Sequence, residues 1–207
     1  KGKRTIGIFS ALASAFFLGM SPIFGKKAIL AGVPPLAVVG IRTISATLLL
    51  FGVIAIFKKK YLYIYPAGVL GCFIAGWTNG LGSLFYYSAL SRIDAGVGQL
   101  LYSLYPLFVA FWMILDRNKP SKLTIVRLSL AIPAAFLLTQ TQGNNIDMIG
   151  VFQMLISSAL YALHLPINQR VLYDMPAPTV TLYTLAAMSA LVVPTFLFSG
   201  SGSFPNN

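Results

Sequence analysis

Acidic residues are almost missing from this chain of 207 residues. It has no glutamate, and its four acids are aspartates at positions 94, 116, 147 and 174. All charged residues together make up 9% of the sequence, whereas soluble domains have about 25%. A protein with so few charges cannot cover a surface that faces water. The scarcity therefore excludes an ordinary soluble domain, and the lipid bilayer is the remaining solvent.

Cysteine and histidine are equally scarce, with one residue of each. The lone Cys72 excludes an internal disulfide, and His164 has no second histidine or cysteine near it to form a metal site. The sequence shows no phosphate-binding glycine loop and no recognisable catalytic arrangement of Ser, His and Asp. The net charge of +11 comes from bases that lie mostly between apolar runs. We therefore expect no metal, cofactor, enzymatic activity or nucleic-acid partner.

Hydrophobic residues, by contrast, make up 57% of the chain. They form seven runs, each long enough to cross the roughly 30 Å of bilayer hydrocarbon as a helix. The runs are 5–25, 36–57, 65–88, 95–115, 121–140, 149–170 and 178–198. The connections between them are short. The sequence thus predicts an all-α, polytopic membrane helical bundle of about seven transmembrane helices, with neighbouring helices antiparallel.

The basic residues indicate an orientation. If the N-terminus is cytoplasmic, ten basic residues lie in inside segments and three, Lys26, Lys27 and Arg92, in outside segments. The positive-inside rule favours this arrangement, in the plasma (inner) membrane of a bacterial-type cell. Arg42 and Arg127 lie within runs near their ends, from which a long side chain can reach the headgroups.

An internal repeat is the most informative pattern. Residues 14–48, shifted by 144 positions, align without a gap on 158–192. Pro22 then meets Pro166, and Pro34 meets Pro178. The pattern predicts an inverted repeat of five-helix units, with the first unit at 1–140 and two helices of the second at 141–207, since an odd number of spans inverts the second copy. Because the second unit is incomplete, we expect the chain to be a fragment of a ten-span protein.

Polar side chains recur at helical spacing inside the third, fourth and sixth runs. A polar face is costly against lipid, so these residues are expected to face protein or a water-filled cavity. The candidates for a substrate pathway are Asn79, Tyr86, Gln99, Tyr102, Tyr161, His164 and Asn168. A histidine simply hydrogen-bonded to a neighbouring helix is the alternative for His164. Tyrosines at span ends can instead be interfacial anchors.

Prolines and small residues give further expectations. Pro22, Pro106 and Pro166 are hinge candidates, because a proline within a helix removes one hydrogen bond and kinks the chain. A static kink is the alternative. Small residues spaced by four are typical of closely packed helices. They occur at Gly7, Ala11, Ala15 and Gly19, and again at Gly76 and Gly80.

Residues 83–121 carry a resemblance to a known family. An apolar run ends in Ala89-Leu90, a polar turn follows, and the next run contains Pro106 and ends at Asp116-Arg117. Other matching features are Lys26 or Lys27, Pro34-Pro35 and Arg42. The chain resembles the drug/metabolite transporter superfamily, specifically its ten-helix EamA-type members. It departs from their pattern in having Asp116 where glutamate is usual, and in lacking the last three helices.

The resemblance implies an exporter of a small metabolite, such as an amino acid or a related compound. The predicted inverted repeat indicates alternating access, with the substrate between the repeats. The partners expected are a small-molecule substrate, the lipid bilayer, and either a second copy of the chain or a missing second half. Two other functions remain open from the residues alone: a non-transporting seven-helix membrane subunit or receptor-like protein, and an intramembrane enzyme.

Overall fold

The computed structural model describes residues 2–116 and 147–198, together with positions 126, 129 and 133. The described ranges form seven α-helices, which we number in chain order. They are α1 (Gly2–Leu30), α2 (Pro35–Phe57), α3 (Pro66–Arg92), α4 (Ala95–Tyr102), α5 (Tyr105–Leu115), α6 (Met148–Asp174) and α7 (Ala177–Phe198). A 3₁₀ turn, Lys59–Leu62, joins α2 to α3.

Six segments in the described ranges are long and apolar enough to cross a membrane. Five are single helices, and the sixth consists of α4 and α5 together, over Ala95–Leu115. They correspond to six of the seven predicted runs, so the prediction of an all-α polytopic membrane bundle is confirmed. The predicted span at 121–140 lies outside the described residues, apart from three isolated helical positions.

The helix ends follow from local sequence signals. Asp94 and Asp147 cap α4 and α6, each accepting a hydrogen bond of 2.8 Å from the backbone N–H two residues later. Proline occupies the first turn of α2 and of α3, where its missing N–H costs nothing. After α1, Gly32 adopts a φ of 89°, which favours glycine. These signals keep the connections short.

The third span, α3, lies at the centre of the described bundle and packs against α2, α6 and α7. The main apolar core joins these helices to α4, with Val39, Leu90, Leu101, Met154 and Met188 all buried. A smaller cluster places the buried Cys72 beside Met175 and Val180. The cysteine therefore contributes to packing.

The two stripes of small residues differ in their contacts. A Cβ atom added to Gly76 would lie 2.5 Å from the Thr184 carbonyl oxygen, so α3 and α7 approach backbone to backbone there. Gly80, also on α3, faces Leu191 of α7. No described residue comes within 4 Å of a Cβ added at Gly7 or Gly19. Among the glycines of the two stripes, Gly76 and Gly80 lie against α7, whereas Gly7 and Gly19 have no described neighbour at that distance.

The helix pairs α1–α2 and α6–α7 correspond to the two copies of the predicted repeat. Pro22 and Pro166 both lie inside the first helix of their pair. The second helices, α2 and α7, contact each other, and the Thr47 and Ser189 hydroxyls are 2.9 Å apart across that contact. The inverted relationship and the boundary between the two units stay predictions.

Candidate substrate cavity

A cavity of about 440 Å³ lies among α1, α2, α3, α4, α5 and α6. Five of the seven residues that were predicted to form a substrate pathway line it. They are Asn79, Tyr86, Gln99, Tyr102 and Tyr161. The wall also includes Arg42 from α2, and a stretch of α1 around Pro22. The cavity therefore combines neutral polar groups, aromatic rings and one cation.

The helix that forms one wall of the cavity is broken. α4 ends at Tyr102, two residues form a turn, and α5 begins at Tyr105 with Pro106 in its first turn. Instead of kinking a continuous helix, Pro106 starts a new one, because its missing N–H is harmless at that position. The Tyr102 carbonyl oxygen accepts a hydrogen bond of 3.0 Å from the Ser158 hydroxyl of α6. This bond satisfies a backbone group exposed by the break.

Five tyrosines form a continuous aromatic wall, which we call the tyrosine cluster: Tyr86, Tyr87, Tyr102, Tyr105 and Tyr161. The Tyr102 ring is central, with its centroid 5.0 Å from that of Tyr86 and 5.3 Å from that of Tyr161. Tyr105 packs edge-on against Tyr161, at 5.2 Å between centroids. Since these rings come from α3, the broken α4–α5 span and α6, the cluster joins three spans around the cavity.

The neutral polar groups of the cavity contact one another or the surrounding helices. The Tyr86 hydroxyl donates to the Gln99 side-chain oxygen at 3.3 Å, which links α3 to α4. The Asn79 amide nitrogen lies 3.6 Å from the Met188 sulfur, a weak acceptor. Ser157 donates to the Gly82 carbonyl at 2.7 Å. Gln99 and Asn79 keep further hydrogen-bonding capacity for a ligand.

His164 and Asn168 do not line this cavity, although they follow Tyr161 on α6. His164 is buried, and its Nδ1 atom lies 2.9 Å from the Ala75 carbonyl oxygen. A carbonyl can only accept, so Nδ1 carries the proton. The Asn168 side-chain oxygen accepts from the Thr184 hydroxyl at 3.5 Å. Both side chains thus connect α6 to neighbouring helices.

The three hinge candidates occupy different environments. Pro22 lines the cavity from α1. Pro106 begins α5, next to the break in the fourth span. Pro166 lies inside α6 beside a second, more open concavity that Trp112 and Arg170 also line. Their role as hinges stays a prediction.

Arg42 is a cavity residue that was not among the predicted pathway residues. A long side chain at its position can reach the headgroups. In the structure its guanidinium carbon lies 5.4 Å from the centre of the Tyr87 ring, and the residue lines the cavity. It is seven residues into α2, about 10 Å from the helix end at ~1.5 Å per residue. The sequence did contain an indication of this role, since Arg42 is the one charged residue in α2.

Ion pairs lie at both ends of α6, away from the cavity lining. At the start of α6, the capping residue Asp147 accepts a hydrogen bond of 3.0 Å from Arg92, which lies at the end of α3. This hydrogen bond, together with those from two backbone N–H groups, holds the pKa of the Asp147 carboxyl below its ordinary value. Near the other end of α6, Arg170 pairs with Asp116, which follows α5. The pairs connect α6 to α3 and to α5.

The comparison with known families covers most of the described helices. Residues 5–140 match the EamA-like transporter family. The chain belongs to this family. No curated protein and no solved structure gives a significant match. Family membership and the six membrane-crossing segments together establish an integral, multi-pass membrane protein of the drug/metabolite transporter type.

Proposed function

We propose that this EamA-family member is a secondary transporter that exports a small metabolite, an amino acid or a related compound, by alternating access. The observation that carries the proposal is the cavity, which brings residues from six helices around a space of about 440 Å³. This volume falls within the range of small-molecule sites, roughly 300–1,000 Å³. Polar groups inside a membrane bundle are costly unless they serve a path or a site.

The broken fourth span supports the same mechanism. Discontinuous helices with exposed backbone groups are typical of transporter sites near the middle of the bilayer. Here the break after Tyr102 adjoins the cavity, and Ser158 of α6 holds the freed carbonyl group. A change in this α4–α6 contact would therefore alter the cavity wall directly. We propose that this contact moves during transport, with Pro22 and Pro106 as hinges.

The first prediction concerns the tyrosine cluster. Tyr102→Ala and Tyr161→Ala should each lower substrate efflux at least tenfold, because each removes an aromatic face worth about 1.5 kcal/mol or more of binding when buried. The measurement is efflux of a preloaded panel of radiolabelled amino acids and aromatic carboxylates from cells that express the chain.

Tyr173→Ala is the matched control, because Tyr173 lies on α6 like Tyr161 but is 81% exposed. It should leave efflux unchanged. All three variants are quantified in the membrane fraction, so that lost insertion is separated from lost transport. Normal efflux in both cavity variants would show that the path lies elsewhere.

The second prediction concerns orientation. We propose a cytoplasmic N-terminus in a bacterial inner membrane, based on the excess of basic residues on one side. A membrane-impermeant maleimide added to intact cells should then label Lys27→Cys, and should label Lys59→Cys only after lysis. The native Cys72 is 1% exposed and should remain unlabelled. The reverse labelling pattern would contradict the proposed cytoplasmic N-terminus.

A further inference from the structure

We propose that the cavity selects small organic anions, with Arg42 pairing the carboxylate of the substrate and the tyrosine cluster holding a flat apolar body. This inference rests on the proposed transport function, and within the proposed substrate class it favours carboxylates related to amino acids over the amino acids themselves. The observation behind it is the position of one cation in a cavity otherwise lined by neutral groups.

Arg42 is the one charged residue of the apolar α2 span, about 10 Å from the helix end at ~1.5 Å per residue. Its side chain is exposed and lines the cavity. Charged residues within membrane spans face cavities or partners in general and mark ligand paths. Its guanidinium carbon lies 5.4 Å from the centre of the Tyr87 ring, a distance typical of a cation–π contact. A guanidinium carries five N–H donors, and their fork geometry matches a carboxylate.

Among the residues that the structure describes, no carboxylate pairs with Arg42. All four carboxylates of the sequence lie at helix ends. Asp147 and Asp116 pair with Arg92 and Arg170, and no ion pair in the described ranges includes Arg42. A cation without a carboxylate in a membrane cavity is complementary to an anionic ligand. The same lack of carboxylates leaves only neutral acceptors for the ammonium group of an amine.

The rest of the wall specifies the body of the ligand. The tyrosine cluster presents ring faces and edges, with the Tyr86 and Tyr102 centroids 5.0 Å apart. Aromatic and other flat apolar groups pack favourably against such rings. Gln99, held by the Tyr86 hydroxyl, offers an amide for one further hydrogen bond. A carboxylate on an aromatic or similarly flat body can therefore pair with Arg42 and pack against the tyrosine cluster.

Three compounds with the same phenylalkyl body test the charge selection. 3-Phenylpropionate carries only the carboxylate, phenylalanine adds an ammonium group, and phenethylamine has the ammonium group alone. Binding of each to the full 207-residue chain in lipid nanodiscs is measured by calorimetry. We expect 3-phenylpropionate to bind tightest and phenethylamine weakest. Equal or tighter binding of phenylalanine or phenethylamine overturns the proposal, as does the absence of binding by all three.

Variants of Arg42 test whether this residue causes the order. Arg42→Gln should weaken 3-phenylpropionate binding about tenfold or more, as expected for a lost charge-assisted hydrogen bond, and phenethylamine less than twofold. Arg42→Lys keeps the charge and should keep the order of the three compounds. Lys27→Gln removes an exposed cation of α1 outside the cavity lining and should change nothing. Unchanged 3-phenylpropionate binding in Arg42→Gln overturns the proposal.

Two results separate this inference from the proposed transport function. If Arg42→Gln fails to fold, the order of the compounds on the unmodified chain and on Arg42→Lys decides the question. If the chain binds the anion through Arg42 but efflux does not depend on Tyr102 or Tyr161, the anion site stands and the transport path is wrong. If efflux depends on the tyrosines without charge preference, the transport function stands and the anion site is wrong.

Discussion

The helices α1 and α3 are both long apolar spans with small residues at four-residue spacing, but they occupy opposite environments. In the most apolar part of α1, 6% of the residues are buried, compared with 33% in α3. The more hydrophobic of the two is α1. Its residues 7–19 are exposed, and the buried Pro22 and Gly25 lie in its last third, which packs into the described bundle.

The difference shows that hydrophobicity does not select the central helix in a membrane protein. Lipid tails are as apolar as the protein interior, so helix contacts depend on close packing and hydrogen bonds. α3 has both, through Gly76 against α7 and the Ala75 carbonyl beside His164 of α6. α1 depends on a smaller set, in which Lys26 donates to the Leu90 and Ile93 carbonyls at 2.5 and 2.8 Å.

The largest effect is expected from Gly76→Ala. The added Cβ would lie 2.5 Å from the Thr184 carbonyl oxygen and 2.7 Å from the Ala187 Cβ, so backbone must shift. Overpacking of this kind costs roughly 1–3 kcal/mol. The melting temperature of the purified chain in detergent should fall clearly.

Gly80→Ala provides the matched control on the same helix. Its closest contact would be the flexible end of Leu191, at 3.0 Å, which can rotate away. We expect a loss below about 1 kcal/mol. Equal melting temperatures for the two variants would mean that α3 and α7 are not in backbone contact.

An intermediate effect is expected from Lys26→Met, which keeps the length of the side chain but removes its charge. The variant loses two hydrogen bonds to the C-terminal end of α3. It also loses the favourable interaction between a cation and the negative end of the helix dipole. The expected cost is about 1–2 kcal/mol. Proteolysis of α1 in detergent should become faster than in the unmodified chain. Lys27→Met serves as the control, because Lys27 is exposed. Equal proteolysis rates in both variants would show that Lys26 does not hold α1.

The smallest effect is expected from Gly7→Ala. No described residue lies within 4 Å of the added Cβ, so the substitution should change stability by less than about 0.5 kcal/mol. The melting temperature is measured beside that of Gly76→Ala. A loss comparable with that of Gly76→Ala would place the first half of α1 in a tight contact and remove the contrast between the two helices.

Much of the fold was predictable because the bilayer imposes it. Backbone groups in lipid must be satisfied internally, and six of the seven apolar runs form helices in the described ranges. The turns were also encoded locally, by aspartates and prolines at the helix starts and by Gly32 after α1. Which stripe of glycines would pack was not predictable, because spacing alone is the same in both.

The cavity was predictable only in part. Helical spacing placed Tyr102 and Tyr161 on the polar faces of two different spans, and the structure brings their ring centroids to 5.3 Å from each other. Spacing also grouped His164 with Tyr161, but a partner carbonyl on α3 directs His164 to another contact. Arg42 was missed because a long side chain near a span end reaches headgroups in general. In this bundle the ring of Tyr87, from another helix, holds it at the cavity.

The sequence by itself determined that this is a membrane protein, where its helices lie and which transporter family it belongs to. Composition, run length and local motifs carry this information, and they can be read from the linear sequence. The tertiary structure decided the rest. It placed α3 at the centre and α1 at the edge, broke the fourth span at Ser103 and Leu104, and brought Arg42 to the tyrosine cluster. These features depend on contacts between residues that are distant in sequence. Because lipid is as apolar as the protein interior, the hydrophobic pattern of the sequence does not show which helix faces will pack together.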